Sequence, residues 1–117
     1  MAMKNSLRAA SVLNKDDQIV IGGAGGFIAG ALTRYFHAQG FTRIRAVDKK
    51  PLPQWYQIVP WVESLCLDLS DQTNCRRACE GAVEVYNLAA DMGGMKRTYA
   101  WIEQQYADRK AGRRTVS

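Results

Sequence analysis

Four glycines fall within five residues, Gly22, Gly23, Gly25 and Gly26, and they sit between two segments of very different character. Before them, Gln18–Ile19–Val20–Ile21 is a short apolar run of the kind that forms a strand buried on both faces. After them, Phe27, Ile28, Leu32 and Phe36 recur at helical spacing until Gly40 stops the pattern. A strand that feeds a helix through such a turn confines the chain to α/β architecture. The helix must then cross back over a sheet, and the next strand lies parallel to the first.

The rest of the chain keeps the alternation. Arg43 to Val47 alternates apolar and charged residues and ends at Asp48, predicting a second strand. Residues 51 to 60 hold three prolines and Trp55, so a loop with one helical turn is expected there. Ser64 to Leu67 reads as a third strand ending at Asp68. Ser70 or Asp71 can cap a helix that runs to about Glu80 and closes at Gly81. Ala82 to Leu88 is a fourth strand, Ala89 to Gly94 a loop of small residues, and Arg97 to Ala111 a final helix. The expected fold is thus a partial doubly wound, Rossmann-like parallel sheet of about four strands in the order 3-2-1-4, with a C-terminal helix. Residues 1 to 15 are expected as a flexible leader, 16 to 95 as the α/β part, and 96 to 117 as the helix and a basic tail.

The glycine turn has a chemical reading. At Gly23 a Cβ would obstruct a tight turn. Gly26 lets backbone approach a pyrophosphate, and small Ala29 lets the helix pack on the strand. The helix N-terminus adds free N–H groups and a partial positive charge. Glycine-rich runs are common in loops, but this one has a strand before it, a helix after it, and a carboxylate, Asp48, at the end of the second strand 22 residues beyond Gly26. A carboxylate there accepts both hydroxyls of an adenosine ribose and repels a 2′-phosphate, which favours NAD over NADP. Lys49 and Lys50 act in the opposite direction, because either can pair with a phosphate. Asp68, at the tip of the third strand, can accept from an adenine amino group or serve as a turn and cap aspartate, and the dinucleotide turn favours the former. The spacing Gly23-x-x-Gly26-x-x-Ala29 is the short-chain dehydrogenase form; the other dinucleotide form, Gly-x-Gly-x-x-Gly, needs glycine at Ile28.

Asn87–Leu88–Ala89–Ala90–Asp91–Met92–Gly93–Gly94–Met95 is the most specific string in the chain. Together with residues 23 to 29, Asp48–Lys49–Lys50 and Asp68–Leu69, it closely resembles the GDP-mannose 3,5-epimerases and their relatives among the NAD-dependent epimerases and dehydratases, the extended short-chain dehydrogenases. The resemblance runs from about Gln18 to Met95. It implies that Gly23, Gly26, Phe27 and Ile28 hold the pyrophosphate of NAD, Asp48 the ribose, and Asp68 with Leu69 the adenine. It further implies that Ala89 and Ala90 flank the cofactor and that Gly93 lies against a nucleotide-sugar, a GDP-sugar in the full-length family. Such enzymes transiently oxidise a sugar hydroxyl, epimerise beside the ketone and return the hydride. After Met95 the likeness breaks: where the family continues to a catalytic Ser or Thr and a Tyr-x-x-x-Lys helix, residues 96 to 105 look like its closing helix. An internal deletion near Met95 is the economical reading, with catalysis lost and cofactor binding weak or confined to the adenosine end; a non-catalytic dinucleotide-binding or interaction module is the alternative. Tyr106 and Lys110 match Tyr-x-x-x-Lys, but two residues four apart share a helix face by geometry alone, and no strand bearing Ser or Thr precedes them at a fitting distance.

Charge narrows the partners. The net charge is +5, and from Lys96 onward six basic residues stand against Glu103 and Asp108, leaving residues 1 to 95 nearly neutral. The basicity belongs to a tail, which reads as a solvated end rather than a nucleic-acid surface, since no aromatic-plus-basic sheet motif accompanies it. Cys66, Cys75 and Cys79 lack a complementary Cys or His pair for zinc, so free thiols in a reducing cytoplasm are expected and no metal. The longest apolar stretch of the leader, Ala9 to Leu13, is too short for a signal peptide or a membrane span. The fourth strand is expected as an open apolar edge that invites self-association.

Overall fold

The computed structural model describes residues 4–6, 13–89 and 104. Its elements in chain order are β1 (Lys4–Ser6), β2 (Gln18–Gly22), α1 (Phe27–Ala38), β3 (Ile44–Asp48), a 3-10 turn (Leu52–Gln54), β4 (Glu63–Cys66), α2 (Gln72–Ala78) and β5 (Ala82–Asn87). They form one sheet in the order β1-β5-β2-β3-β4. β2 pairs in parallel with both β3 and β5, and β3 in parallel with β4. Those four parallel strands reproduce the expected 3-2-1-4 order, with β2 as the innermost and every residue of it buried.

Period-two alternation builds a core on each face of the sheet. Ile19 and Ile21 of β2, Ile44 and Ala46 of β3, and Tyr86 of β5 face one way, where Ala29 and Phe36 of α1 cover them. Val20, Val47 and Val85 face the other way, against Cys75, Ala78 and Cys79 at α2. One helix per face is what right-handed crossovers impose on a parallel sheet, and it explains why β2 reads as an uninterrupted apolar run.

α2 is capped by Asp71, not Ser70. The Asp71 carboxylate accepts from the backbone N–H of Thr73 at 2.8 Å and of Asn74 at 3.3 Å. Its other end is held by Arg45 of β3, whose Nη1 donates to the carbonyls of Ala78 at 2.6 Å and Glu80 at 3.1 Å. The Nε of Arg45 meets Glu63 of β4 at 2.9 Å. One guanidinium thus ties a helix C-terminus to two strands, and its positive charge sits where the helix dipole is negative.

Two expectations are corrected. Lys4–Ser6 is not a loose leader: it adds an antiparallel strand to β5, in the register Lys4–Tyr86, Asn5–Val85 and Ser6–Glu84. The edge of β5 is therefore not open over those three residues, because β1 supplies the missing hydrogen-bonding row. The expected final helix, Arg97 to Ala111, falls outside the described residues except for Gln104, which is helical.

Candidate functional site

The carboxyl ends of the parallel strands converge on a cleft of about 270 Å³. Gly23 and Gly26 of the turn after β2 line one side, Asp48, Lys49 and Lys50 after β3 another, and Asp68 with Leu69 after β4 a third. Leu88 and Ala89, just past β5, complete the wall. This is the crevice between β2 and β5, where the direction of winding reverses and open α/β sheets place ligands. Six of the nine residues expected at the cofactor, Gly23, Gly26, Asp48, Asp68, Leu69 and Ala89, are brought together here. Phe27 and Ile28 are not part of its lining: the two residues are 62% and 56% exposed on the first turn of α1. That turn carries the N–H groups through which backbone, rather than side chain, could meet an anion. Ala90 and Gly93 lie outside the described residues.

The turn is built by close approach. Gly23 has φ +78°, and a Cβ on it would stand 2.8 Å from both the Ala89 nitrogen and the Leu88 carbonyl carbon. Backbone from β5 therefore runs directly against the turn, helped by Asn87, whose Oδ1 accepts from Ala89 N–H at 3.0 Å. Leu88 N–H donates to the Gly22 carbonyl at 2.9 Å, continuing the ladder into the loop. Gly26 differs: its φ of −85° and ψ of 168° suit any residue, and the nearest atom to an added Cβ is the Gly23 carbonyl oxygen at 3.4 Å. The fold does not demand glycine at Gly26. The space above it belongs to the cleft, as expected if a bulky anion comes to rest on that backbone.

Asp48 holds the opposite end. Its Oδ2 accepts from Gly25 N–H at 2.9 Å and its Oδ1 from Lys50 N–H at 3.0 Å. Each carboxylate oxygen keeps a further lone pair for a ligand hydroxyl. The Asp68 Oδ1 accepts from both the backbone N–H and the hydroxyl of Ser70, at 2.9 and 2.7 Å. These two bonds, the backbone one foremost, hold its carboxyl below the usual range, so it is an ionised acceptor at neutral pH. Asp68 is thus a turn aspartate and a cleft aspartate at once; the two readings drawn from the sequence are compatible.

The residues present fit a nucleotide diphosphate: backbone without side chains at one end, carboxylates at the other, the apolar Leu69 and Leu88 between them, and two ammonium groups beside Asp48. Sequence reasoning missed the requirement at Gly25, where a Cβ would lie 2.9 Å from the Asp48 Oδ2 and 3.0 Å from Trp55. It also missed Gly30, where a Cβ would meet the side chain of Gln57 at 3.0 Å. Among the described residues no group of three or more His, Cys, Asp or Glu is placed to hold a metal, and no helix is long and apolar enough to cross a membrane.

Comparison with known proteins gives the family and the fold. Residues 19–116 match the model of the NAD dependent epimerase/dehydratase family. GDP-mannose 3,5-epimerase of Arabidopsis thaliana is 41% identical over 78 residues, which cover 67% of this chain and 20% of that protein. GDP-mannose 3,5-epimerase 1 of Oryza sativa subsp. japonica is 38% identical over a stretch of the same length. The chain thus spans about a fifth of the length of the curated relatives it matches. Among solved structures, a short-chain dehydrogenase/reductase superfamily protein from Agrobacterium tumefaciens with bound NAD superposes with TM-score 0.52 at 21% identity, over 80% of this chain and 27% of that one. Uronate dehydrogenase from Agrobacterium tumefaciens gives 0.51 at 18% identity, over 85% and 38%. Both show the same fold.

Proposed function

Because the chain belongs to the NAD-dependent epimerase/dehydratase family, we propose that its cleft binds NAD(H) as the cofactor portion of a nucleotide-sugar epimerase of the GDP-mannose 3,5-epimerase kind. The observation that carries this reading is the placement of Gly23 and Gly26 opposite Asp48 and Asp68 in one cleft. The diphosphate rests on the bare backbone of the turn and the first N–H groups of α1, at Phe27 and Ile28. Asp48 accepts the adenosine ribose hydroxyls, and Asp68, with Leu69 beneath, takes the adenine. Ala89 and Ala90 flank the cofactor, and Gly93 approaches the sugar of a GDP-sugar. When bound, NAD supplies the hydride acceptor; this chain's residues supply position.

Residues 18 to 95 carry no Tyr-x-x-x-Lys pair, and the match at Tyr106 and Lys110 falls outside the described residues. On this reading the chain binds the adenosine and diphosphate parts of the cofactor without turning over a sugar, a binding module in practice and an isomerase by descent, acting in the cytoplasm. Self-association through β5 loses its basis where β1 pairs with that edge.

Calorimetric titration with NAD, ADP-ribose and AMP tests the proposal. ADP-ribose and NAD should bind with similar affinity and AMP more weakly. No binding of any of the three would end the dinucleotide reading, and NAD far tighter than ADP-ribose would show that the nicotinamide end has a site of its own. Formation of NADH absorbance or an epimer on adding GDP-mannose would refute the inactive reading alone.

A further inference from the structure

Residues 51 to 57 do more than connect β3 to β4. The 3-10 turn at Leu52–Gln54, stiffened by Pro51 and Pro53, delivers the Trp55 side chain, 7% exposed, against Gly25. The indole Nε1 donates back to the Lys50 carbonyl at 2.8 Å, which closes the segment on itself. The next amide, Tyr56 N–H, donates to the Gly25 carbonyl at 2.9 Å. From the other side, Asp48 accepts from Gly25 N–H at 2.9 Å. Gly25 is the residue immediately before Gly26, and both of its backbone polar groups are held by β3 and the segment that follows it. The segment is in turn pinned to α1: Tyr56 meets Phe27 edge to face at 4.8 Å, and the Gln57 Oε1 accepts from Arg34 at 2.6 Å.

We propose that Trp55 is a positioning residue for the diphosphate: by seating Gly25 it fixes the direction in which the turn presents its backbone to the ligand. This rests on the dinucleotide reading of the cleft. A turn rich in glycine has many backbone conformers, and each one that misaims the turn lowers the apparent affinity by the fraction it occupies. The strap removes those conformers before the ligand arrives. The adenine depends less on it, because Asp68 and Leu69 are positioned by the loop after β4, which the Trp55 contacts do not include; Asp48, which takes the ribose, shares Gly25 and Lys50 with the strap, so adenosine feels a smaller part of the change than ADP-ribose does.

The test compares the full chain with Trp55→Phe, which keeps an aromatic ring but loses the Nε1 donor, and with Trp55→Ala. Each is titrated with ADP-ribose and with adenosine, and the exchange of the Gly25 and Tyr56 amides is followed by NMR. Trp55→Phe should weaken ADP-ribose by about fivefold, the equivalent of one neutral hydrogen bond, and leave adenosine within about twofold. Trp55→Ala should weaken ADP-ribose further, and both amides should exchange faster in either variant while those of Ile21 and Val85 do not. Equal losses for the two probes would mean that Trp55 only supports the fold, and unchanged ADP-ribose affinity in Trp55→Phe would mean that the strap does not position the turn; either overturns the proposal while the dinucleotide reading stands. A wild-type chain that bound neither probe would remove that reading and the proposal together. Should Trp55→Ala fail to fold, Trp55→Phe decides.

Discussion

Replacing Gly23 and Gly26 by alanine, one at a time, separates what the fold requires from what the ligand requires. At Gly23 the added methyl meets two costs. A left-handed φ of +78° in a residue with a Cβ costs about 1–2 kcal/mol. The contacts at 2.8 Å are with the Ala89 nitrogen and Leu88 carbonyl carbon, backbone atoms that no side-chain rotation can clear, and overpacking of that kind adds about 1–3 kcal/mol. Gly23→Ala should therefore lose about 2–5 kcal/mol, a large part of the stability of a small domain. At Gly26 the dihedral angles are ordinary and the nearest atom is 3.4 Å away. The weaker capping of alanine and its smaller unfolded-state entropy nearly offset each other, so stability should stay within about 0.5 kcal/mol of wild type. Its methyl nevertheless stands where the diphosphate is proposed to lie, and ADP-ribose should bind at least about tenfold more weakly, equivalent to about 1.4 kcal/mol. Urea denaturation reads the first quantity and calorimetry the second. A Gly26→Ala chain that kept wild-type affinity, or that lost as much stability as Gly23→Ala, would refute the assignment of one glycine to the fold and the other to the ligand.

Further outcomes follow from the geometry. Arg45→Met should destabilise by about 2–3 kcal/mol in urea, because it strips a charged donor from the carbonyls of Ala78 and Glu80; Glu63→Ala, at a side chain 53% exposed, should cost less than about 1 kcal/mol. Asp71→Ala should cost about 1 kcal/mol by the same assay, since it frees the N–H groups of Thr73 and Asn74. Burial, reinforced by the neighbouring Cys75 and opposed by Arg45, pushes the Cys79 thiol up from 9.0 to about 12. The unfolded thiol therefore ionises first, and the contribution of Cys79 to stability is whole below pH 9 and is lost as pH rises toward 12. Over that window Cys79→Ala should flatten the decline of stability by about 1.4 kcal/mol per pH unit. A thiol reagent at neutral pH should modify the exposed Cys66 in the native chain and leave the buried Cys75 and Cys79 intact.

Local signals made the centre of the molecule legible. The strand at Gln18, the turn at Gly23 and the helix at Phe27 are contiguous in sequence, so apolar periodicity and glycine placement identify them without knowledge of anything distant. Asp48 and Asp68 could be read because each ends a segment patterned as a strand. What escaped notice depends on contacts between residues far apart. Gly25 and Gly30 look like ornaments of the turn until Trp55 and Gln57 are seen lying on them, and a segment with three prolines gives no sign of which helix it will strap. Ser70 and Asp71 are equally good caps on paper; Asp68 takes the Ser70 hydroxyl and leaves Asp71 to cap the helix. Lys4–Asn5–Ser6 has no β-branched or aromatic residue, so nothing local marks it as a strand; it becomes one because β5 presents an unfilled ladder.

That first strand has a consequence for how the chain is made. Lys4–Ser6 leaves the ribosome before the other described elements, yet its neighbour in the sheet is β5, the last of the described strands to emerge. At translation rates of about 5–20 residues per second, several seconds separate the two. The β2, β3 and β4 strands can associate during that interval, while the amino end must wait for residue 87 before it docks. A bulky fusion placed directly ahead of residue 4 would therefore act on the docking of β1, a late step of sheet assembly, whereas the same addition in the loop before β4 would act on an earlier one.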